Sequence, residues 1–245
     1  MNSRQLSQMI ENSNNIIFFG GAGVSTESLI PDFRSSMGLY KTINNYSYNA
    51  ETMLSHSFFV NHTEDFFDFY KSKMIYKDAK PNAAHHALAE LERLGKLKAV
   101  ITQNIDGLHQ LAGSKNVLEL HGSVHRNSCM KCKKDYSLNY VLSSKALTPT
   151  CKDCGGIVRP NVTLYEESLN MEVLSSAIGY IKNADMLIVG GTSLVVYPAA
   201  GLVQHYSGSR LVLINKSLTA YDKVANLVIH DSIAKILSQA IKSSC

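Results

Sequence analysis

The sequence lacks a strong excess of charge, and this limits the partners that it suits. Its 245 residues include 24 lysines and arginines against 20 acidic residues, which gives a net charge of +4. Such a small excess does not indicate nucleic-acid binding, although it would suit an anionic ligand. Hydrophobic residues make up 45% of the chain, so a substantial core is available and extensive disorder is excluded.

The sequence also lacks a recognisable secretory signal or membrane anchor. The apolar run at residues 16–19 is too short for the core of a signal peptide. Residues 186–209 contain no charged side chain and could cross a bilayer in length, but they include adjacent glycines and a proline. A buried strand, a polar turn and a helix explain this stretch better. We therefore expect a cytoplasmic protein with no membrane partner.

Cysteines are few, and their spacing does not suit a disulfide scaffold. Cys129 and Cys132 form one Cys-x-x-Cys pair, and Cys151 and Cys154 form a second, 18 residues further on. Two such turns can direct four thiolates at one Zn²⁺ ion. Four thiolates close the coordination sphere, so the sequence predicts a structural zinc site. Cys245 is assigned no role.

Short apolar runs alternate with helical patterns, which predicts an α/β fold with a parallel sheet covered by helices on both faces. Helical periodicity is clearest in residues 82–96 and 232–242. The expected strands are Ile16–Phe19, Ala99–Thr102, Val117–Leu120, Met186–Val189, Leu211–Ile214 and Leu227–Ile229.

Two regions interrupt this alternation and are interpreted as inserts. Residues 124–158 are polar, rich in lysine and contain the four paired cysteines, so they form a small zinc subdomain. Residues 31–80 show no clear strand and are expected to form helices and loops. The larger domain then comprises residues 1–123 and 159–245.

A glycine-rich turn, residues 20–26, follows the first expected strand. Such a turn lets the backbone approach a pyrophosphate, but alone it is a weak signal, because the third glycine of the dehydrogenase fingerprint is missing. Polar clusters also follow four later strands, at residues 102–106, 119–122, 191–194 and 214–216. The carboxyl ends of parallel strands share one sheet edge, where open α/β sheets bind ligands. The sequence therefore predicts a ligand site at that edge.

Taken together and in this order, the motifs resemble those of the sirtuins, NAD-dependent protein lysine deacylases. The resemblance extends over about residues 14–233. It rests on the glycine turn, both cysteine pairs, Pro31-Asp32-Phe33-Arg34, Gln103-Asn104-Ile105-Asp106, His121-Gly122 and Gly191-Thr192-Ser193. It implies a Rossmann-like fold with an inserted zinc subdomain, and it places the 31–80 insert over the cofactor. The implied cofactors are NAD, which is consumed, and structural zinc. The implied partners are acyl-lysine proteins or peptides.

The resemblance also implies a set of site residues. The catalytic residues would be His121, as general base, and Asn104. Substrate would bind along Val162, Thr163, Leu164 and Tyr165. The zinc ligands would be Cys129, Cys132, Cys151 and Cys154. The cofactor would contact Gly21, Ala22, Gly23, Ser25, Thr26, Phe33, Arg34, Gln103, Asn104, Ile105, Asp106, His121, Gly191, Thr192, Ser193, Asn215 and Asp231.

Each role has a plainer alternative. An imidazole that titrates near neutral pH suits a general base, but a lone histidine is usually a satisfied core residue. Asn104 and Asp106 could instead cap a helix that starts near Ile105. Ser25 and Thr26 could be ordinary helix-start residues, Phe33 a core aromatic and Arg34 a surface charge. Pro160 restricts the substrate segment to a sheet edge, which suits pairing with a peptide.

Three residues depart from the sirtuin pattern. Gly20 stands where the family usually has threonine, Leu29 where it has glycine, and Glu166 where it has glycine between an aromatic residue and Glu167. Gly20 and Glu166 could alter loop geometry or peptide affinity, and Leu29 could stiffen the cofactor loop. None of the three changes removes a catalytic side chain.

The resemblance implies NAD-dependent removal of acetyl or other uncharged acyl groups from lysine, with release of nicotinamide and O-acyl-ADP-ribose. Sirtuins that favour dicarboxylic acyl groups carry a Tyr-x-x-Arg pair in the region after the Phe-Arg motif, whereas this chain has Tyr40-Lys41-Thr42-Ile43 there and no arginine between Arg34 and Arg93. Protein ADP-ribosyl transfer or NAD hydrolysis on the same fold is an alternative. A zinc-ribbon adaptor for nucleic acid or protein is a further alternative, favoured only by lysines near the cysteines. The expected state is a monomer.

Overall fold

The structure is a computed structural model that describes residues 2–35, 38–39 and 48–242. In chain order the strands are β1 (Ile16–Gly20), β2 (Leu97–Thr102), β3 (Val117–Glu119), β4 (Gly122–Cys129), β5 (Asp135–Ser137), β6 (Val158–Val162), β7 (Met186–Gly190), β8 (Leu211–Ile214) and β9 (Leu227–Ile229). The α-helices are α1 (Asn2–Glu11), α2 (Ala50–Met53), α3 (His56–Asn61), α4 (Thr63–Phe69), α5 (Ala83–Arg93), α6 (Leu108–Leu111), α7 (Leu138–Ser143), α8 (Met171–Asn183) and α9 (Ile233–Lys242). Short 3₁₀ helices occupy Ala22–Val24, Thr26–Ser28 and Ala199–His205, and a π-helical turn occupies Tyr70–Met74.

Six parallel strands form the main sheet in the order β3-β2-β1-β7-β8-β9. All six expected strands are confirmed, with small differences at their ends; β2, for example, begins at Leu97 rather than at Ala99. Every residue of β1 and β7 is buried, because helices cover both faces of the sheet. Strands β2 and β3 are added on one side of β1, and β7, β8 and β9 are added on its other side. This is the strand order of a Rossmann fold, and its reversal point is where such folds bind ligands.

Two separate apolar layers hold the helices against the sheet. On one face, α1, α5 and α9 contribute buried side chains such as Leu6, Leu88 and Leu237. On the other face, α8 and the 3₁₀ helix at Ala199–His205 contribute side chains such as Ile181 and Leu202. The α/β sandwich with helices on both faces is thus confirmed.

Helix α5 shows how the local sequence sets an element's start. The side chain of Asn82 accepts a hydrogen bond from the Ala84 N–H, and the His85 ring accepts one from the Asn82 N–H. This reciprocal arrangement caps the first turn of the helix. The helix ends at Arg93, slightly before the expected limit at residue 96. No helix in the described part of the chain is both long enough and apolar enough to span a bilayer.

A second, antiparallel sheet has the order β5-β4-β6. Cys129 ends β4, and the other three paired cysteines lie in the segments that connect the strands of this sheet. The sheet begins at Gly122 and ends at Val162, so it extends beyond residues 124–158 at both ends. Pro160 lies in β6, an edge strand, in agreement with the sequence-based expectation. The division of the chain into domains remains a prediction.

The insert between β1 and α5 has its own aromatic core. Phe59, Phe66, Phe67 and Phe69 are buried on α3 and α4, and their rings meet mostly edge to face. Buried side chains of the second sheet, such as Val162, join this cluster. The helical character expected for the insert is therefore present in its described residues, and the insert packs against the second sheet.

Candidate active site

A cavity of about 530 Å³ lies between the main sheet and the insert. One wall is formed by the loops that follow β1, β2, β7 and β8, and the other by residues 30–35, 39, 70, 73–77 and 162–167. All four predicted substrate residues line it. So do all the predicted cofactor residues except Thr26 and Asp231. The polar clusters therefore meet at one sheet edge, as the sequence predicted.

The glycine turn packs directly on the loop after β7. The Gly23 N–H donates to the Gly191 carbonyl over 2.8 Å, and a Cβ on Gly23 would lie 2.7 Å from the Gly191 Cα. Only glycine permits this close approach of two backbones. A Cβ on Gly20 would lie 2.6 Å from the Phe18 ring, so this chain has no room for the threonine usual at position 20.

Ser25, Asn104 and Asp106 form a buried polar network beside the turn. The Ser25 hydroxyl accepts a hydrogen bond from Asn104 Nδ2 at 3.0 Å and donates one to Asp106 Oδ2 at 2.7 Å. Ser25 is 1% exposed and Asn104 is 9% exposed. Buried hydrogen bonds of this kind fix side-chain orientation, because breaking them leaves polar atoms unpaired.

Asp106 also serves a structural purpose. Its Oδ1 accepts a hydrogen bond from the Leu108 N–H, at the first residue of α6. The expectation that a helix starts near Ile105 was wrong by about three residues, because Gly107 adopts a left-handed backbone conformation before α6. Capping and the polar network thus use different oxygens of the same carboxylate.

The His121 ring is held against the end of β2. Its Nδ1 lies 3.0 Å from the Gln103 carbonyl oxygen. A carbonyl only accepts hydrogen bonds, so Nδ1 carries the hydrogen and the neutral ring has its lone pair on Nε2. Burial lowers the pKa of His121, and the bond to Gln103 opposes this shift only in part. The ring is therefore neutral at physiological pH, the state that a general base requires.

Gln103 connects this histidine to the glycine turn. Its N–H donates to the Gly20 carbonyl at 3.0 Å, and its side-chain amide donates to Thr192 Oγ1 at 3.1 Å. Hydrogen bonds thus run without a break from His121 through Gln103 to the loops after β1 and β7. The structure brings the proposed base and the glycine turn to one place.

Thr26 and Asp231 do not line the cavity. The Thr26 hydroxyl donates to the Gly23 carbonyl at 3.0 Å, within its own turn. Asp231 is ion-paired with Lys235 of α9 at 2.6 Å, outside the cavity wall. Arg34 does line the cavity, where its guanidinium pairs with Glu51 at 3.1 Å.

Several lining residues were not predicted from the sequence. Tyr70 is buried, and its hydroxyl has no hydrogen-bond partner among the described residues. Burial raises its pKa well above the usual range. Lys73 and Lys77, which follow Tyr70, also line the cavity. No spacing pattern marks these positions, since the insert reaches the cavity only through its tertiary packing.

The predicted substrate segment continues from the edge strand β6. The Thr163 N–H donates to the His121 carbonyl at 2.9 Å, which fixes the segment beside the proposed base. Tyr165 is held from the insert side, because its N–H donates to the Leu54 carbonyl and its carbonyl accepts from the His56 N–H, each over 3.0 Å. The segment is therefore anchored at one end to the residue of the proposed base and at the other end to the insert.

The four paired cysteines meet the requirements of a zinc site. Their sulfurs all lie within 4.8 Å of one another, with 3.5 Å between Cys129 and Cys154 and 3.6 Å between Cys132 and Cys151. A tetrahedral ion with Zn–S bonds of about 2.3 Å requires sulfurs about 3.8 Å apart. The Lys131 and Cys132 N–H groups also point at Cys129 Sγ. The four thiolates fit structural zinc, because they fill all four positions of a tetrahedral ion and leave none for a substrate.

Fold and site together define an α/β protein with a ligand crevice at the switch point of a Rossmann-order sheet and a four-thiolate metal module. The sequence model of the Sir2 family matches residues 21–198, which is more than half of the chain. The chain therefore belongs to the Sir2 family.

Individual relatives agree with this assignment. A Clostridium tetani protein named NAD-dependent protein deacetylase is 66% identical and aligns over 98% of this chain and 97% of its own length. A Clostridium acetobutylicum protein of the same name is 64% identical, over 97% of both chains. A Sir2 structure with a deacetylated p53 peptide and 3′-O-acetyl ADP-ribose superposes with a TM-score of 0.89 at 38% identity, and covers 99% of this chain and 98% of that one.

Proposed function

We propose that this protein removes acetyl or other uncharged acyl groups from protein lysines, consuming NAD and releasing nicotinamide and O-acyl-ADP-ribose. The observation that carries the proposal is the position of the His121 ring, which is held by the Gln103 carbonyl and lines the same cavity as the Ser25–Asn104–Asp106 network. The names of the relatives support the same activity.

The sheet edge suits a dinucleotide. The backbone of residues 21–23 would lie against the diphosphate, with the Arg34 guanidinium as its counter-charge. Gly191, Thr192, Ser193 and Asn215 would hold the adenosine half at the end of β7 and β8. Because Asp231 lies outside the cavity, we do not include it in this subsite. NAD would supply an electrophilic anomeric carbon with nicotinamide as its leaving group.

The remaining polar residues have distinct tasks around that carbon. Asp106, fixed by Ser25, would hold the nicotinamide carboxamide, with Gln103 and Ile105 completing the pocket. Asn104 would orient the ribose and a water molecule. His121 Nε2 would take a proton from a ribose hydroxyl, and its lowered pKa keeps it ready to do so at neutral pH. Phe33 would shield the reacting carbon from water.

The acyl-lysine peptide would pair with the segment Val162–Tyr165. This segment extends an edge strand, and an edge strand can accept one more strand through backbone hydrogen bonds. Its position beside the His121 carbonyl would direct the modified lysine into the cavity. Zinc would stabilise the second sheet, to which this segment belongs, and take no part in the reaction.

We further propose that the protein works as a monomer in the cytoplasm. The four paired cysteines are free thiols at zinc-site distances rather than disulfides, which suits a reducing compartment. The two proposed parts of the chain are the nucleotide-binding domain, 1–123 with 159–245, and the zinc subdomain, 124–158.

The test is nicotinamide release by the zinc-loaded protein, measured with and without an acetyl-lysine peptide. We expect release to depend on the peptide and to match the loss of acetyl mass from it. Release without any peptide would indicate NAD hydrolysis, and a gain of ADP-ribose mass on the peptide would indicate ADP-ribosyl transfer. Either result, without deacetylation, would overturn the proposal.

The acyl preference needs its own experiment. Residues 40–43, on which the preference for uncharged acyl groups was based, lie outside the described residues. The described cavity wall includes the cations Lys73 and Lys77. We expect a higher kcat/KM for acetyl-lysine than for succinyl-lysine peptides. A higher kcat/KM for succinyl-lysine would contradict this preference. If the Lys73→Met variant then lost its activity on succinyl-lysine, Lys73 would be the cation that binds the succinyl carboxylate.

A further inference from the structure

Glu166, directly after the proposed substrate segment, has a backbone conformation that is unusual for its residue type. Its φ is +73°, in the left-handed region that glycine enters freely and where other residues are strained. Strain of this kind persists where surrounding contacts hold the residue in place, and it often marks a functional position. The side-chain contacts of Glu166 should therefore show what holds it in this conformation.

The Glu166 carboxylate is bound to the insert. Its Oε2 accepts two hydrogen bonds from Ser57, one from the backbone N–H at 2.9 Å and one from the hydroxyl at 2.6 Å. Ser57 lies in the first turn of α3. These hydrogen bonds also lower the pKa of Glu166, so it is ionised at neutral pH. Its side chain thus fastens the loop to the helical insert.

The neighbouring Glu167 fastens the same loop both to β6 and to α3. Its carboxylate accepts two hydrogen bonds from Arg159 of β6, at 2.7 and 2.6 Å, one from the Leu164 N–H at 2.9 Å, and one from His56 Nδ1 of α3 at 2.8 Å. Because Glu167 is already held by a cation on β6, it keeps the segment close to the second sheet. Both carboxylates therefore attach the loop to α3, Glu167 through His56 and Glu166 through Ser57.

We propose that Glu166 is a positioning residue for the peptide substrate: through Ser57 it holds the segment 162–165 in the conformation that pairs with the acyl-lysine peptide. This inference rests on the proposed function. Recognition by strand addition uses backbone groups, so a segment held in place before binding avoids the cost of ordering. Glu166 touches none of the reacting atoms, and its effect should be confined to peptide binding.

The experiment compares Glu166→Gly, Glu166→Gln and Ser57→Ala with the matched control Glu64→Gln, an exposed glutamate of the adjacent helix α4. The dissociation constant of a fluorescent acetyl-lysine peptide is measured by anisotropy, and kcat and the KM for NAD are measured alongside. We expect Glu166→Gly to weaken peptide binding about tenfold, or ~1.4 kcal/mol. Glu166→Gln, which keeps an acceptor oxygen, should lose less. The control, kcat and the KM for NAD should stay within twofold.

A second readout separates positioning from general stability. Amide hydrogen exchange of residues 162–167 should be faster in Glu166→Gly, while exchange in β1 and β7 stays unchanged. The double variant with Ser57→Ala should bind peptide no more weakly than Glu166→Gly alone. Equal or tighter peptide binding by Glu166→Gly would overturn the inference, even with faster exchange. If the wild-type protein binds no acetyl-lysine peptide, the proposed function fails as well, so the two failures are distinguishable.

Discussion

The two sheets of this molecule are stabilised in different ways. The six-stranded sheet lies between two apolar layers to which α1, α5, α8 and α9 contribute. In the three-stranded sheet, the cluster around the cysteines has only four buried members, Cys129, Val141, Cys151 and Val158. Two of these four are proposed metal ligands. Packing therefore suffices for the first sheet, whereas we expect the cysteine end of the second sheet to depend on zinc. The substrate segment is attached to the second sheet at the end that packs on the insert.

The largest expected effect is that of removing zinc. Structural zinc contributes on the order of 10 kcal/mol to small metal domains, so a chelator or Cys151→Ala should unfold the second sheet locally. We expect amide exchange in β4 and β6 to rise by at least two orders of magnitude, with β1 and β7 unchanged. Acetyl-lysine peptide binding should be lost at the same time.

Cys245→Ser serves as the matched control, because it removes a cysteine outside the proposed ligand set. Re-adding zinc to the chelated wild-type protein should restore protection in β4 and β6. Unchanged exchange after metal removal would show that packing alone holds the second sheet, and the contrast between the two sheets would be lost.

Acid should expose a weakness in the larger domain. His85 and His109 are fully buried with their rings 4.7 Å apart, and no partner is found for either nitrogen of His109 among the described residues. Burial lowers the pKa of His85 to about 4 and that of His109 to about 3. Both are below the unfolded value of 6.5, so their contribution to stability is complete above pH 6.5 and is lost as the pH falls toward 4.

Each of these histidines should cost on the order of 2 kcal/mol of unfolding free energy at pH 5. Denaturant unfolding of the zinc-loaded protein at pH 7.5 and pH 5 measures this loss. The variant His109→Leu should reduce the pH dependence, whereas His86→Leu, at an exposed position of α5 next to His85, should change it much less. An equal loss of unfolding free energy between pH 7.5 and pH 5 in wild type and both variants would show that His85 and His109 do not cause the pH dependence.

The smallest effect concerns strain at the rim of each sheet. Leu29 has φ +64° and is 87% exposed, and Lys133, between the cysteine pairs, has φ +62°. Glycine at either position relieves a backbone strain of about 1 kcal/mol and loses part of that gain to chain entropy. Leu29→Gly should raise the melting temperature of the larger domain slightly, and Lys133→Gly should slow zinc loss to a chelator. A lower melting temperature of Leu29→Gly together with faster zinc loss from Lys133→Gly would contradict this account.

The sequence predicted the larger sheet better than the smaller one, for a physical reason. Strands buried on both faces, such as β7, read as continuous apolar runs. Strand β4 is polar over most of its length and is specified by its partners and by zinc, so its sequence shows no period. The cysteine spacing predicted the metal site because two short turns suffice to build it.

Within the cavity, the residues that follow strands were predicted, since strand order determines where they meet. Tyr70 and Lys73 were missed because the fold of the insert, not a local pattern, brings them to the cavity. Asp231 entered the cofactor set only through the resemblance to the sirtuins, and its side chain pairs with Lys235 outside the cavity. Tertiary packing determines whether such side chains reach the cavity, and short-range sequence patterns do not predict that packing.

The most direct test of the central claim compares wild type with His121→Ala, using mass spectrometry to count deacetylated peptide and O-acetyl-ADP-ribose. We expect one O-acetyl-ADP-ribose for each lysine freed by wild type, and a loss of at least about 10²-fold in both products in the variant. Binding of the acetyl-lysine peptide should be unchanged in His121→Ala, and His86→Ala should behave as wild type. Undiminished product formation by His121→Ala, or acetate release with NAD left intact, would contradict the account.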